Sequence, residues 1–200
     1  MSGSEYRRGA RILPALLIAI ALSACAGDSS LQTFELASPQ EYGEVRPARG
    51  SIAVAIPTAL RALDSERVVV QPTPGEINYL GGARWADRLP RIVQARIVQA
   101  FENSKRVRAV PRGSSDQLRS DFVLDTELRE FGVHVGDSPM ALVEISARIL
   151  NERTNRVVAT QVFIARAETS SVDGPSATAA INHAFGIVLI DLVRWTATKI

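Results

Sequence analysis

The chain has one cysteine, Cys25, so it cannot form an internal disulfide framework or a multi-cysteine metal cluster. Histidine is nearly as scarce: His134 and His183 are the only two, with no neighbouring His or Cys at ligand spacing, which argues against zinc. No Gly-x-Ser-x-Gly elbow is present, and neither Gly-x-Gly-x-x-Gly nor Gly-Lys-Ser/Thr follows the Gly81-Gly82 pair. A hydrolase elbow and a phosphate cradle therefore have no sequence support, and Gly81-Gly82 reads as a turn leading into a helix. Aromatic residues make up only 6%.

Net charge is also lacking. Arg7, Arg8, Arg11 and Glu5 are the charged residues of the first 24 positions. The chain from Cys25 onward holds 20 basic and 20 acidic side chains. A basic stripe able to neutralise phosphates is absent, which excludes a nucleic-acid partner. The carboxylates Asp87, Asp121, Asp125, Glu127, Glu144 and Asp191 are scattered, and Asp125 and Glu127 read as part of a solvated strand face. We expect no catalytic residues, no cofactor and no enzymatic activity.

The longest apolar run near the start, Ile12 to Leu22, has 11 residues. A bilayer core needs about 20, so this is the short hydrophobic region of a secretory signal, preceded by its arginines. Leu22-Ser23-Ala24-Cys25 follows at once and resembles a bacterial lipobox, which implies lipidation of the Cys25 thiol and cleavage before it. Residue 26 is Ala rather than Asp, which by resemblance to the enterobacterial sorting pattern points to the outer membrane. Residues 1–24 are thus expected as a signal peptide, 25–50 as a lipid-anchored linker rich in Gly, Ser, Pro and charge, and 51–200 as the domain. Thr33 to Leu36 is the one alternating piece within the linker.

The domain starts with Ile52, Val54 and Ile56 alternating with small residues, a half-buried strand that Pro57 ends. Arg67–Gln71 and Glu76–Leu80 read as a hairpin around Pro72, Pro74 and Gly75. From Trp85 to Phe101 the apolar residues follow helical three-four spacing. Pro90 either kinks this helix, or residues 83–88 form a separate turn and Pro90 sits in the first helical turn; the second is favoured. Arg106–Arg112 is the next strand, and the runs 121–135, 140–151 and 156–168 with short polar connections form an antiparallel meander. Within 121–135 the apolar parity changes from Phe122, Leu124 and Leu128 to Phe131, Val133 and Val135, which predicts a bulge near Glu130 or Gly132. Asp173 to Ser176 announces a closing helix striped by Ile181, Ala184, Phe185, Val188, Leu192 and Trp195. The fold class is α/β: a two-layer sandwich with a mixed or mostly antiparallel sheet and two packed helices.

Tyr79-Leu80-Gly81-Gly82-Ala83-Arg84-Trp85-Ala86-Asp87-Arg88-Leu89-Pro90 goes beyond composition. With the lipobox, Phe34-Glu35-Leu36, the strand ending at Pro57, Thr154 to Thr160 with Phe163, and Ala180 to Phe185, it resembles the ABC-type transport auxiliary lipoproteins over most of 22–198. The resemblance implies an outer-membrane docking component of an MCE-type system moving lipids or organic solvents, related to the paraquat-inducible envelope complex. Its implied partners are an MCE-type periplasmic substrate-binding protein and an ABC permease-ATPase complex, and a ring-like homo-oligomer follows by the same analogy. An assembly lipoprotein of a secretion or cell-wall machine is the competing function. Trp85 is read as an anchor of the first helix on the sheet, with a partner hot spot as the alternative. Phe131, Val133 and Val135 form a candidate partner interface, for which core and interface readings stand nearly even.

Overall fold

Alternation and turn chemistry divide the described residues into nine strands and two helices. The structure, a computed structural model, describes residues 31–113 and 120–200. The expected signal segment and Cys25 lie outside the described residues. The strands are β1 (Gln32–Phe34), β2 (Ser51–Val54), β3 (Thr58–Ala59), β4 (Arg67–Gln71), β5 (Asn78–Trp85), β6 (Arg108–Pro111), β7 (Phe122–His134), β8 (Met140–Asn151) and β9 (Arg156–Glu168). Helix α1 (Leu89–Ser104) follows β5, and α2 (Gly174–Lys199) follows β9.

All nine strands belong to one mixed sheet. β7, β8 and β9 form the expected antiparallel meander along one side of β7. The other side of β7 is shared in series by three short parallel partners: β2 at Phe122–Leu124, β3 at Glu127–Leu128 and β4 at Gly132–His134. From there the sheet forks, with β6 parallel to β2 on one branch and β5, then β1, beyond β4 on the other. Thirteen residues make β7 long enough to serve both branches. Its register shifts between Leu128 and Glu130, so the predicted bulge falls at Arg129, one residue before the expected place, and turns Phe131 and Val133 inward.

Both helices pack on the sheet and touch each other, α2 over β9, β8, β7 and β5 and α1 over β6 and β2. The two-layer α/β sandwich is thus the observed architecture. On β8 the alternate residues Ala141, Val143, Ile145, Ala147 and Ile149 have no accessible surface, as period-two burial under a helix requires. α2 is long and apolar enough to cross a bilayer by composition. It is instead a core helix, because Ala177, Ile181, Ala184, Phe185, Val188, Leu192 and Val193 are buried within the domain. Asp173 caps its first turn by accepting from the Ser176 amide at 2.9 Å.

Three expectations change. The packed unit begins at Leu31 rather than Ser51: Leu36 and Tyr42 are in the core, and residues 35–49 run as a strap along the helices. The strap is pinned by Ala37 N to Asn182 Oδ1 (2.7 Å), Asn103 Nδ2 to the Pro39 carbonyl (2.9 Å) and Arg194 Nε to the Tyr42 carbonyl (3.0 Å). It adds Leu36 and Tyr42 to the core cluster. Second, Trp85 ends β5 and does not lie on α1, since the strand continues through the glycines. Between paired residues Arg67/Arg84 and Val69/Tyr79, β5 carries more chain than β4, and Gly82 at φ +70° accommodates the excess. Pro90 lies in the first turn of α1, the favoured alternative. Third, Ile56 is exposed, because β2 ends at Val54.

Candidate functional site

The Tyr79 to Pro90 segment carries the most specific sequence signal, and its side chains bind the fold to itself. The Trp85 amide donates to the Glu66 carbonyl at 2.7 Å and the Leu89 amide to Ser65 at 3.0 Å, which staples the start of α1 to the loop before β4. Arg88 grips Asp64 through two donors, Nε at 3.0 Å and an Nη2 contact. Arg67 stacks over the Tyr79 ring, 3.4 Å from guanidinium carbon to centroid. Asp87 accepts from the adjacent Arg88 amide and is exposed. The indole of Trp85 is 1% exposed and meets Phe131 edge-on at 6.3 Å; Phe131 in turn meets Phe185 of α2 at 5.4 Å. These three aromatics connect β5, β7 and α2, so Trp85 is a core anchor, as expected, though from a strand and not from the helix.

The same chain of contacts removes the candidate interface. Phe131 is 1% exposed and Val133 0%, both enclosed by this chain alone. Val135 is half-buried and packs on the same core. The bulge at Arg129 shifts parity, and β4 then pairs at Gly132–His134, so these side chains turn beneath α2 instead of facing outward. A partner cannot reach Phe131 or Val133 without unfolding the domain.

The open face of the sheet carries ion pairs on β7 and β8, beside exposed Val157 and Ile164 on β9. Asp125 pairs with Arg148 across the strands at 2.7 Å, and Arg129 bridges Glu127 (3.1 Å) and Glu144 (3.5 Å). Gln71 Nε2 donates to Glu130 at 2.8 Å, with His134 Nε2 3.7 Å from the same oxygen. Arg148 and Arg129 engage Asp125, Glu127 and Glu144, which matches the solvated-face reading of Asp125 and Glu127. His183 is on α2, beside an open depression with Glu168 and Ser176, and does not join His134 in one site. Among the described residues no three His, Cys, Asp or Glu side chains converge to hold a metal.

Two carboxyls are held below the usual range by hydrogen bonds that favour the ionised form. For Asp173 the Ser171 hydroxyl contributes most, then the Ser176 amide and hydroxyl. For Asp121 the donors are the Ser51 amide and hydroxyl, each at 2.8 Å. Both act on the fold, one capping α2 and the other tying the start of β2 to the segment entering β7.

With polar chemistry spent on joining elements, relationship decides more than any pocket. The family of ABC-type transport auxiliary lipoprotein components matches residues 34–191, nearly the whole described domain. The chain belongs to that family. Its auxiliary lipoprotein domain is 29% identical to protein XCC0632 of Xanthomonas campestris, whose crystal structure superposes with a TM-score of 0.72 over 84% of this chain and 96% of that one. Uncharacterized protein bll6063 of Bradyrhizobium diazoefficiens is 30% identical over 172 residues, 84% of this chain and 45% of that protein. The chain therefore spans about half the length of that curated relative. Hypothetical protein CT253 of Chlamydia trachomatis shares the fold at 12% identity, with a TM-score of 0.51 over 74% of this chain and 96% of its own. For an auxiliary lipoprotein of a transporter the place of work is the cell envelope. The feature that sequence reasoning passed over is the outer edge of β9, which pairs only with β8 among the described residues and whose signal was an uncharged run inside an otherwise charged strand.

Proposed function

We propose that this auxiliary lipoprotein is the docking piece of an MCE-type ABC transport system that moves lipids or organic solvents across the envelope. It is acylated at Cys25 and held on the periplasmic face of the outer membrane. There it engages an MCE-type substrate-binding protein supplied by a permease-ATPase complex, and it performs no catalysis. The family match over residues 34–191 carries this reading. The lipobox spacing Leu22-Ser23-Ala24-Cys25 supports the anchor.

Packing shortens the expected tether. Since the folded unit starts at Leu31, six residue steps separate it from Cys25, about 20 Å of chain at full stretch. The domain works close to its anchoring membrane, and positioning is its contribution. Three acyl chains would make the hold firm, each buried methylene adding about 0.8 kcal/mol.

Crosslinking in the native envelope followed by pulldown and mass spectrometry tests this reading. Recovery of a permease, an ATPase and an MCE-type protein is expected. Recovery of secretin or cell-wall enzymes in their place would overturn it. Replacing Cys25 with Ser should leave an unlipidated, uncleaved precursor, because a hydroxyl is a far weaker nucleophile than a thiolate. Normal acylation of Cys25→Ser would end the anchor proposal.

A further inference from the structure

Although basic and acidic side chains balance from Cys25 onward, the fold sorts them to opposite ends. One end is built where the strap meets both helices and the starts of several strands. There the Ala48 amide donates to the Arg106 carbonyl at 2.9 Å, the Arg49 amide to the Ile200 carbonyl at 3.3 Å and the Glu152 amide to the Asp121 carbonyl at 3.0 Å. Ser51 pairs with Arg108, and Asn151 with Arg156. This end gathers Arg49 from the strap, with Lys105, Arg106 and Arg108 from the junction of α1 and β6. The β8–β9 turn adds Arg153 and Arg156, and the last turn of α2 adds Lys199. All seven are exposed, and none makes an ion pair among the described residues. Asp121 and Glu152 are the carboxylates of the same segments, and they are engaged by Ser51 and Arg112. The other end has the opposite sign. Its three connections meet because Gln71 pairs with His134, His134 with Met140 and Met140 with Glu168. Residues 71–78, 134–140 and 168–176 contain Glu76, Asp137, Glu168 and Asp173 and no Lys or Arg.

We propose that the basic end docks an acidic protein surface that faces this domain across the periplasm. Crowded like charges repel, and an opposite surface relieves that repulsion on contact while its approach is steered by the field. The direction of the basic end rests on the Cys25 anchor proposed above; the segregation of charge does not. Traced through β5 and β4, β1 lies level with Glu130 to Gly132 of β7. That is eight to ten residues along β7 from Phe122, about 30 Å from the basic end at the usual strand rise. Six residue steps from Cys25 to Leu31 reach at most about 20 Å. A domain standing on its basic end would hold Leu31 farther from the anchoring membrane than that segment extends. The basic end therefore faces away from it.

Chemistry at this end selects the occupant. Five of the seven cations are Arg, whose planar fork takes a carboxylate through two parallel hydrogen bonds. Beside Arg156, Val157 and Val158 are 56% and 45% exposed, so apolar contact adjoins the charge, as in a protein interface. Both valines belong to a strand and not to a protruding loop that could enter a bilayer, which favours protein over lipid headgroups. A second copy does not fit. Copies anchored in one membrane hold their acidic ends at the same height, away from a neighbour's basic end. A ring of copies joined through their sides would present these cations along one rim.

The test uses the full chain in its native envelope. A carbodiimide joins a lysine amine to a carboxylate in contact with it and leaves no spacer. Lys105 and Lys199 are the two lysines of the sequence and both lie at the basic end, so an amide from either one reports this surface. Mass spectrometry should show them joined to Asp or Glu within a carboxylate-rich segment of another protein. Combining Arg49→Glu, Arg106→Glu and Arg153→Glu should reduce those amides at least tenfold, and the milder Arg→Gln set at the same positions should reduce them less. Combining Arg61→Glu, Arg91→Glu and Arg166→Glu changes the charge equally at exposed positions outside this end and should leave the amides within twofold. Thermal melts should show the variants folded. In a second arm, the chain held by its anchor in phosphatidylcholine vesicles is mixed with vesicles containing phosphatidylglycerol, and no bridging is expected. Lysines joined only to this chain or its copies, equal loss in both charge-reversed sets, or bridging of the vesicles would overturn the surface. An MCE-type protein recovered without lysine amides would overturn it too, while leaving the docking reading intact. Lysine amides to an acidic protein of another envelope machine would support the surface and overturn the transport reading.

Discussion

Val133 has no accessible surface, so glutamate there would place a carboxylate in the core beneath α2 with no cation to meet it. Isolated charges in such surroundings are costly enough to unfold a domain. Val133→Glu should therefore lose its cooperative thermal transition at pH 7, a loss of folding and not of association. Trp85 allows a finer measurement. Its indole N–H is buried without a partner in the described structure, so the ring contributes packing and not a hydrogen bond. Trp85→Ala should cost about 3–5 kcal/mol in denaturant titration. Trp85→Phe should cost clearly less, since it keeps an aromatic ring beside Phe131 and removes the unpaired donor. Equal losses would mean that the indole nitrogen does bond in solution.

At the scale of elements, the parallel β4–β7 pairing depends on a residue without a side chain. A Cβ at Gly132 would fall 2.5 Å from the Val69 carbonyl oxygen, backbone against backbone, in a place where neither strand can move freely. Gly132→Ala should destabilise by about 1–3 kcal/mol, as overpacking does, whereas alanine at Gly136, where the space is open, should be far milder by the same melt. The start of α2 responds to acid. Hydrogen bonds from Ser171 and Ser176 hold the Asp173 carboxyl below its usual range, so the folded state prefers it ionised. This contribution is complete above the unfolded value of about 3.9 and is lost as pH falls through the lower folded value. Asp173→Asn should thus melt below the parent at pH 7, and the difference should narrow below about pH 4. A difference unchanged across that range would separate the cap from ionisation.

The whole molecule depends on a segment that looks like a linker. Leu36 is 2% exposed, and burial of a leucine contributes about 1.5–3 kcal/mol. Tyr42 adds an aromatic ring whose hydroxyl donates to the Pro39 carbonyl at 2.9 Å. A chain beginning at Leu31 should fold with a sharp thermal transition, and one beginning at Ser51 should melt broadly or aggregate. Equal melting of the two would show the strap to be dispensable. If the host sorts on the residue after the cysteine, Ala26→Asp should move the lipoprotein toward the inner membrane on fractionation; unchanged distribution would show that this signal is not used.

Local pattern alone was enough to determine the meander and the closing helix. Runs such as Met140–Asn151 and Arg156–Glu168 alternate between turn residues, and Asp173 with Pro175 announces a helix start by chemistry within one turn. The Arg129 bulge was legible too, because a parity change within a strand has few other physical solutions. Family membership was readable in the ordered motifs from Phe34 to Phe185. Tertiary structure alone decided where those elements face. Phe131 and Val133 have the same alternation whether they meet a partner or α2, and only the docking of α2 and β4 around them made them core. Gly81-Gly82 reads as a turn by local conformational freedom, yet pairing with β1 and β4 extends the strand through it. Residues 31–50 have a linker's composition, yet Leu36 and Tyr42 join the core and hydrogen bonds to both helices hold the segment. Pattern along the chain records which residues avoid water; which surface shields them is a long-range property that only packing supplies.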